Sequence, residues 1–362
     1  MTMPFSLKPD TTAADVWPAL LAHLLERRDL TSDAAAWAMR QVIQGEVSSV
    51  QLAAFLTALR AKGETVGEVD GFVSALLRAA QPVQVAGPTL DIAGTGGDGT
   101  NAVNISTMAA VVAAATGVRV VKHGGRAATA TTAGSADLVQ HLGIPLDLPP
   151  DRLAAIAVQA GITFLWAPRM HPGMRHAGPV RRELGVPTVF NLLGPLINPA
   201  SPTHRVVGVA DPRRLPVVVE VLRARGTSAL VVRGDDGLDK LSTTTTSQAW
   251  IVRDGQASHE TVDPRALHLP CPSPGALRGG DAQANARILH AVFAGQPGPI
   301  RNAVVLNAAA ALVAARPSGS TLVEHLHTAS VRCGEAIDSG AASATLANWI
   351  SIANAPPERI RQ

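Results

Sequence analysis

Residues 90–126 read LDIAGTGGDGTNAVNISTMAAVVAAATGVRVVKHGGR. A short apolar run ends in a turn holding Gly94, Gly96, Gly97 and Gly99. An Ala- and Val-rich helix is expected from Ser106 to Thr116, and a second strand, VRVV, then runs into Lys122 and His123. Strand, glycine turn, helix and strand in this order point to an α/β domain with a largely parallel sheet. The turn has its own chemistry. Glycines let backbone N–H groups approach an anion, and Asn104, Ser106 and Thr107 stand at the positive end of the helix that follows. A tight turn before a capped helix would use the same residue types, so the spacing alone leaves both readings open. The run NIST and the lysine at the second strand's end favour the anion.

Gly94 to Gly99 satisfies GxGxxG, the pattern of a dinucleotide site. Such a site wants an acidic residue about twenty positions further on, to hold a ribose hydroxyl. No Asp or Glu occurs between Asp98 and Asp137, and the second strand leads instead into Lys122, His123 and Arg126. The Gly-Lys-Ser/Thr of a P-loop is also missing. A phosphate-rich ligand fits better than a dinucleotide.

Upstream, residues from about 13 to 80 read as helical. In SSVQLAAFLTALRAKG (residues 48–63), Ser48 or Ser49 can cap, Leu52, Phe55, Leu56 and Leu59 share a face, and Gly63 ends the helix. Downstream, PVQVAGPTLDIAG (82–94) reads as a strand entering the turn. Further strands are expected at ITFLWA (162–167), RVVGVA (205–210), SALVVRG (228–234) and AWIVRDG (249–255). A basic helical stretch, HPGMRHAGPVRRELG (171–185), interrupts them and is expected to pack back on the first helices. The chain of 362 residues, 46% hydrophobic, is long enough for a small helical unit at 1–82, joined by about 170–190, and a large α/β unit at 83–362.

The formal charge of +3 does not imply a nucleic-acid partner. Cys271 and Cys333 form no CxxC pair, which argues against a disulfide scaffold or a zinc site. No signal-like apolar core opens the chain. The greasy runs 108–118 and 303–315 are too short to span a bilayer, and Asn307 interrupts the second. The expectation is a soluble cytoplasmic protein with no membrane contact.

The motifs DIAGTGGDGTNAVNIST, VVKHGGRA, GSADLVQHLG, FLWAPRMHPGMRHAGPVRRELGVPTVFNLLGPLINPA and GDDGLDKLSTTTTS follow one another between residues 91 and 247. In content and order they resemble the anthranilate phosphoribosyltransferase family. The resemblance implies a helical domain and an α/β domain of the nucleoside phosphorylase and phosphoribosyltransferase class, with a cleft between them, and a homodimer. It implies transfer of phosphoribosyl from phosphoribosyl diphosphate to the amine of anthranilate, in tryptophan biosynthesis, with Mg²⁺ escorting the diphosphate. Carried over residue by residue, Gly94, Thr95, Gly97, Asp98, Asn104, Ser106, Thr107 and Lys122 would bind the donor. His123, Gly125, His171, Met174 and Arg181 would surround the acceptor, with Arg181 gripping its carboxylate. Ser106 and Asp239 would hold metal. Lys122 and Arg181 would bear most directly on the reaction.

The chain departs from the family pattern at four places. Gly125 stands where the family has Asn. Residues Thr129 to Gly134 replace a serine-rich loop and run one residue longer. Met174 stands where some relatives have Tyr. The family's Asp-Glu metal pair is here Asp239-Lys240, which either weakens a Mg²⁺ site, with Asp235 and Asp236 still at hand, or sets a fixed positive charge near the diphosphate. These departures keep three rivals in view: a relative with another aromatic or heteroaromatic acceptor, a catalytically silent binding protein, and a nucleoside phosphorylase. The block from His171 to Pro199 argues against the last.

Overall fold

The computed structural model describes residue 5 and residues 13–126, 132–315 and 321–356. The chain opens with four helices, α1 (Ala13–Leu25), α2 (Ser32–Gln44), α3 (Ser49–Lys62) and α4 (Val66–Ala79). Their ends are written in the sequence. Thr31 caps α2 by accepting from the Ala34 N–H, and Gly45 closes it at φ 77°. Ser48 with Gln51, and Thr65 with Glu68, form capping boxes on α3 and α4. Leu52, Phe55, Leu56 and Leu59 are all buried, as the periodicity predicts. Glu68 is buried too, but its carboxylate is fully used: it accepts from Leu30 N, Thr65 N and the Lys62 ammonium, each within 3.0 Å. At Gly71 a Cβ would stand 2.2 Å from the Ser32 carbonyl, so glycine lets α2 and α4 cross closely.

The α/β part alternates as expected: β1 (Leu90–Gly94), α5 (Ile105–Ala115), β2 (Val120–Gly124), α6 (Ser135–His141), α7 (Pro150–Ala160), β3 (Ile162–Trp166). The basic stretch follows as α8 (Ala167–Met170), a 3-10 turn at Pro172–Ala177, α9 (Gly178–Leu184) and α10 (Val189–Leu193). Then come β4 (His204–Gly208), α11 (Leu215–Ala224), β5 (Ser228–Gly234), β6 (Ser247–Arg253) and β7 (Gln256–Val262). Four helices finish the described chain: α12 (Ala282–Phe293), α13 (Pro299–Ala315), α14 (Leu322–Asp338) and α15 (Ala341–Asn354).

The sheet order is β3-β2-β1-β4-β5-β6-β7, parallel through β5 and antiparallel beyond it. Alternate residues feed two cores. Val206 and Leu230 face α5 and the C-terminal helices, while Val207 and Val231 share a core with Phe55, Phe72, Phe190 and α11. Ala177, Val180 and Val189 join that second core, and the 3-10 turn packs on α2 and α9 on α3.

Two expectations need correction. The strand entering the glycine turn starts at Leu90, not Pro82. Pro82 and Pro88 lack N–H groups and Gly87 has φ 77°, so the segment runs as a connector whose Gln81 N–H bonds to the Met170 carbonyl. The last strand, β7, was not expected, because its side chains are mostly exposed and polar.

Candidate active site

From β1 the chain moves to β2 on one side, and β4 lies on the other. The crevice beyond the carboxyl ends of β1 and β4 is therefore a topological switch point, where open α/β sheets bind ligands. Gly94 and Gly208, paired across those strands, end them there. Glycine is required at both. A Cβ on Gly94 would meet the Asp239 carboxylate at 2.1 Å, and one on Gly208 would meet the Asp239 carbonyl at 1.6 Å. The segment 238–241 thus crosses directly over both strand ends.

Beyond Gly94 the turn runs through left-handed Gly96, Gly97 and Gly99. It is anchored from below: Thr95 N bonds to the Gly208 carbonyl, Thr95 Oγ1 accepts from Ala210 N, and Gly96 N donates to Asp239 Oδ2 at 2.8 Å. Asp98 accepts from the N–H and hydroxyl of Thr100. At the start of α5, Ser106 is half-buried and Thr107 buried. Asn104 does not cap the helix. Its Nδ2 donates to the Ala133 carbonyl and its Oδ1 accepts from Asn285, tying the turn to the segment before α6 and to α12. Of the altered loop, Thr132, Ala133 and Gly134 are seen, while Thr129, Ala130 and Thr131 lie outside the described residues.

Two lysines lie under the turn. Lys122 is buried, its ammonium bonded to the Ile92 carbonyl; burial pushes its pKa down to about 8 against the pull of Asp91. Lys240 bonds to Asp239 Oδ1 and stands 3.8 Å from Asp98 Oδ2. Burial opposes its charge, but Asp239 and Asp98 together hold its pKa above the usual lysine value. Burial also disfavours the Asp98 carboxylate, yet Lys240 and the Thr100 bonds outweigh it and keep that carboxyl below its ordinary range.

The sequence expectation of a metal on Ser106 and Asp239 does not fit these residues. Both Asp239 oxygens are engaged, one by an ammonium and one by an amide. Among the described residues no group of three or more His, Cys, Asp or Glu could hold a metal ion.

Of the residues expected around the acceptor, His123 on β2 and His171 after α8 are brought into contact. His123 and His171 meet edge to face at 5.3 Å. His123 Nδ1 bonds to the Gly194 carbonyl, which leaves Nε2 as a bare acceptor, buried without a partner among the described residues. His171 bonds to the Ile197 carbonyl. Burial holds both rings neutral, with pKa values pushed down to about 4 and about 3. Arg181 lies over the Phe190 ring, 5.0 Å from its centre, and forms no ion pair among the described residues. Among the described residues a Cβ on Gly125 would meet only the Ala167 methyl, at 4.0 Å. Met174 is half-buried against the helical core.

The cleft itself is lined by Thr95, Gly96, Gly97 and Asp98 together with Arg60, Asn191, Asp211 and Arg214. The last four were missed in the sequence. Arg60 pairs with Asp211 at 3.1 Å and Arg214 with Glu64 at 2.7 Å, so these ion pairs join α3 and its exit to the segment after β4. The signal was available for two of them: Asp-Pro-Arg-Arg stands two residues beyond β4, at a strand end where ligands bind.

The chain matches the glycosyl transferase family helical bundle domain over residues 18–80 and the glycosyl transferase family a/b domain over residues 86–343. It is 51% identical to the anthranilate phosphoribosyltransferase of Streptomyces griseus, over 96% of this chain and 98% of that protein. It is 53% identical to that of Acidothermus cellulolyticus, over 94% and 96%.

The chain belongs to the anthranilate phosphoribosyltransferase family.

Solved members agree in fold. The Thermus thermophilus enzyme superposes with a TM-score of 0.85 at 38% identity, covering 92% of this chain and 99% of that one. The Saccharomyces cerevisiae enzyme in complex with PRPP and Mg gives 0.86 at 27% identity, covering 94% and 98%. The fold expected from the resemblance, a small helical domain and a larger α/β domain with a mostly parallel sheet, is the one observed.

Proposed function

We propose that this chain transfers the 5-phosphoribosyl group of phosphoribosyl diphosphate to the amine of anthranilate and releases diphosphate. In this step the ribose C1–O bond breaks, a C1–N bond forms, and the amine loses one proton to solvent. The acceptor is an aryl amine, neutral at pH 7, so no strong base is required. The difficult part is cleavage of C1–O through a transition state with oxocarbenium character, as in glycosyl transfers generally. Leaving-group stabilisation then dominates. Amides of the turn beyond Gly96, the start of α5, Lys122 and Lys240 suit that task. Arg181, a cation with no ion-pair partner among the described residues, suits the acceptor carboxylate, and the bare Nε2 of His123 suits an N–H of its amine.

The observation that carries the reading is the amide-lined turn at the switch point with two ammonium groups beneath it. Mg²⁺, present with the donor in the yeast structure, would enter on the diphosphate oxygens. On the family resemblance the setting is tryptophan biosynthesis in the cytoplasm, by a homodimer. No helix among the described residues is long and apolar enough to cross a membrane. The test is loss of anthranilate fluorescence on mixing with phosphoribosyl diphosphate and Mg²⁺. Donor binding without any loss of anthranilate would overturn the acceptor assignment and favour a different aryl amine.

A further inference from the structure

We propose that the Lys240 ammonium occupies the place of a protein-bound divalent cation between Asp98 and Asp239, so that this chain binds the donor's diphosphate without a metal ion of its own. The inference rests on the donor-binding reading above and concerns how the charge of that site is balanced. Lys240 Nζ bonds to Asp239 Oδ1 and lies 3.8 Å from Asp98 Oδ2, and its side chain keeps 15% of its surface exposed. The ammonium is placed as a cation bridging two carboxylates would be, one of which, Asp98, lines the cleft, and an ammonium carries three N–H donors.

The lysine cannot drift from this place easily. Asn307, on α13, grips the next residue from both sides: its Oδ1 accepts from Leu241 N at 3.0 Å and its Nδ2 donates to the Leu241 carbonyl at 2.9 Å. On the other flank, the strand ends at Gly94 and Gly208 hold Asp239 in contact, and Gly96 N fixes its second oxygen.

The charge balance points the same way. Under the turn stand two carboxylates, Asp98 and Asp239, and two ammonium groups, Lys122 and Lys240. They cancel. Nearby Asp91 faces Lys122 first and Arg205 second, so three carboxylates meet three cations, and Asp236 accepts from the hydroxyls of Ser242 and Thr244. Without the Lys240 charge the carboxylates under the turn would outnumber the cations, and a polyanionic diphosphate would meet a more negative site. Glutamate at 240 would leave the same turn two charges more negative, the deficit that one divalent cation fills.

The experiment is calorimetric titration of phosphoribosyl diphosphate into the full chain, in EDTA and in Mg²⁺, with Mn²⁺ binding measured separately in the absence of donor. The wild type is expected to bind donor in EDTA within about tenfold of its affinity in Mg²⁺, and to bind no Mn²⁺ tightly by itself. Lys240→Glu is expected to lose about 10- to 100-fold in EDTA, as for loss of a charge-assisted contact, to recover in Mg²⁺, and to gain one Mn²⁺ per chain. Lys240→Arg, which keeps the charge, should retain binding in EDTA, and Lys240→Gln should lose it without gaining Mn²⁺; thermal melts check that each variant is folded. Donor binding by the wild type only in Mg²⁺, or tight Mn²⁺ binding by the wild type alone, would overturn the inference while leaving the transferase reading intact. Absence of donor binding under both conditions would overturn both.

Discussion

Asn307 is the side chain whose removal should do most damage at a distance from the substrates. It is 2% exposed, in the apolar helix α13, and makes three side-chain hydrogen bonds, two to Leu241 and one to the Ala303 carbonyl. In Asn307→Ala the Leu241 N–H and C=O lose these partners inside a fully buried residue. At about 1–3 kcal/mol for each buried polar group left unsatisfied, the cost is about 2–6 kcal/mol, a large part of the roughly 5–15 kcal/mol of a typical domain. The released segment carries Asp239 and Lys240, so the donor KM should rise by about tenfold or more while the anthranilate KM holds. Asn307→Asp separates the causes. It keeps an acceptor for the Leu241 N–H but sets a buried carboxylate against two carbonyls. Burial raises the pKa of such a group, so the variant should be least stable near pH 7 and recover toward wild type as pH falls and the acid becomes a donor. Urea unfolding and steady-state kinetics on both variants check this. A loss below about 0.5 kcal/mol in Asn307→Ala, a value typical of unconstrained surface changes, would refute the clamp.

Gly208→Ala should be among the most disruptive single-methyl changes in the chain, since its Cβ would fall 1.6 Å from the Asp239 carbonyl; thermal denaturation should show a loss above about 3 kcal/mol. Arg181→Gln should weaken anthranilate binding by about 10- to 150-fold, as expected for about 1.5–3 kcal/mol in a charged contact, with donor affinity unchanged by calorimetry. His123 and His171 are buried neutral, with pKa values pushed down to about 4 and about 3, so between those values and about 6.5 the unfolded chain holds about two more protons than the folded one. Stability should therefore fall as pH drops below about 6.5, approaching about 2.7 kcal/mol per pH unit near pH 5, and a flat profile from pH 6.5 to 5 would refute neutral burial. Gly125→Asn should fold normally, because among the described residues only Ala167 comes within 4 Å of the new Cβ, and should alter the acceptor KM more than the donor KM.

The sequence disclosed elements whose signals are local. Ser48 with Gln51, and Thr65 with Glu68, announce helix starts through side chains that bond three residues away. The run from Leu90 to Lys122 shows strand, turn, helix and strand by periodicity and glycine alone. Strand β7 was hidden because an exposed edge strand has no buried face to reveal it. Its hairpin was nonetheless spelled out: Asp254 and Gly255, both at positive φ, form the two-residue turn between Arg253 and its partner Gln256. Arg60 and Asn191 were out of reach for another reason. They enter the cleft only through the order of the sheet and the docking of α3 on α9 and α10, and neither is a property of their own neighbours in the chain.

Asn307 and Lys240 show the same limit from the opposite side. In the sequence each is an anomaly, a polar residue breaking an apolar helix and a base where the family has an acid. In the fold they explain one another. The Asn307 amide fixes Leu241, Leu241 fixes its neighbour Lys240, and two glycines at the ends of β1 and β4 make room for the Asp239 backbone that completes the crossing. A lysine on a loose loop would pay side-chain entropy on binding and gain little from the diphosphate. Held at both flanks and paired with two carboxylates, it is already in position before the donor arrives, which is the condition under which a fixed charge stabilises a leaving group most.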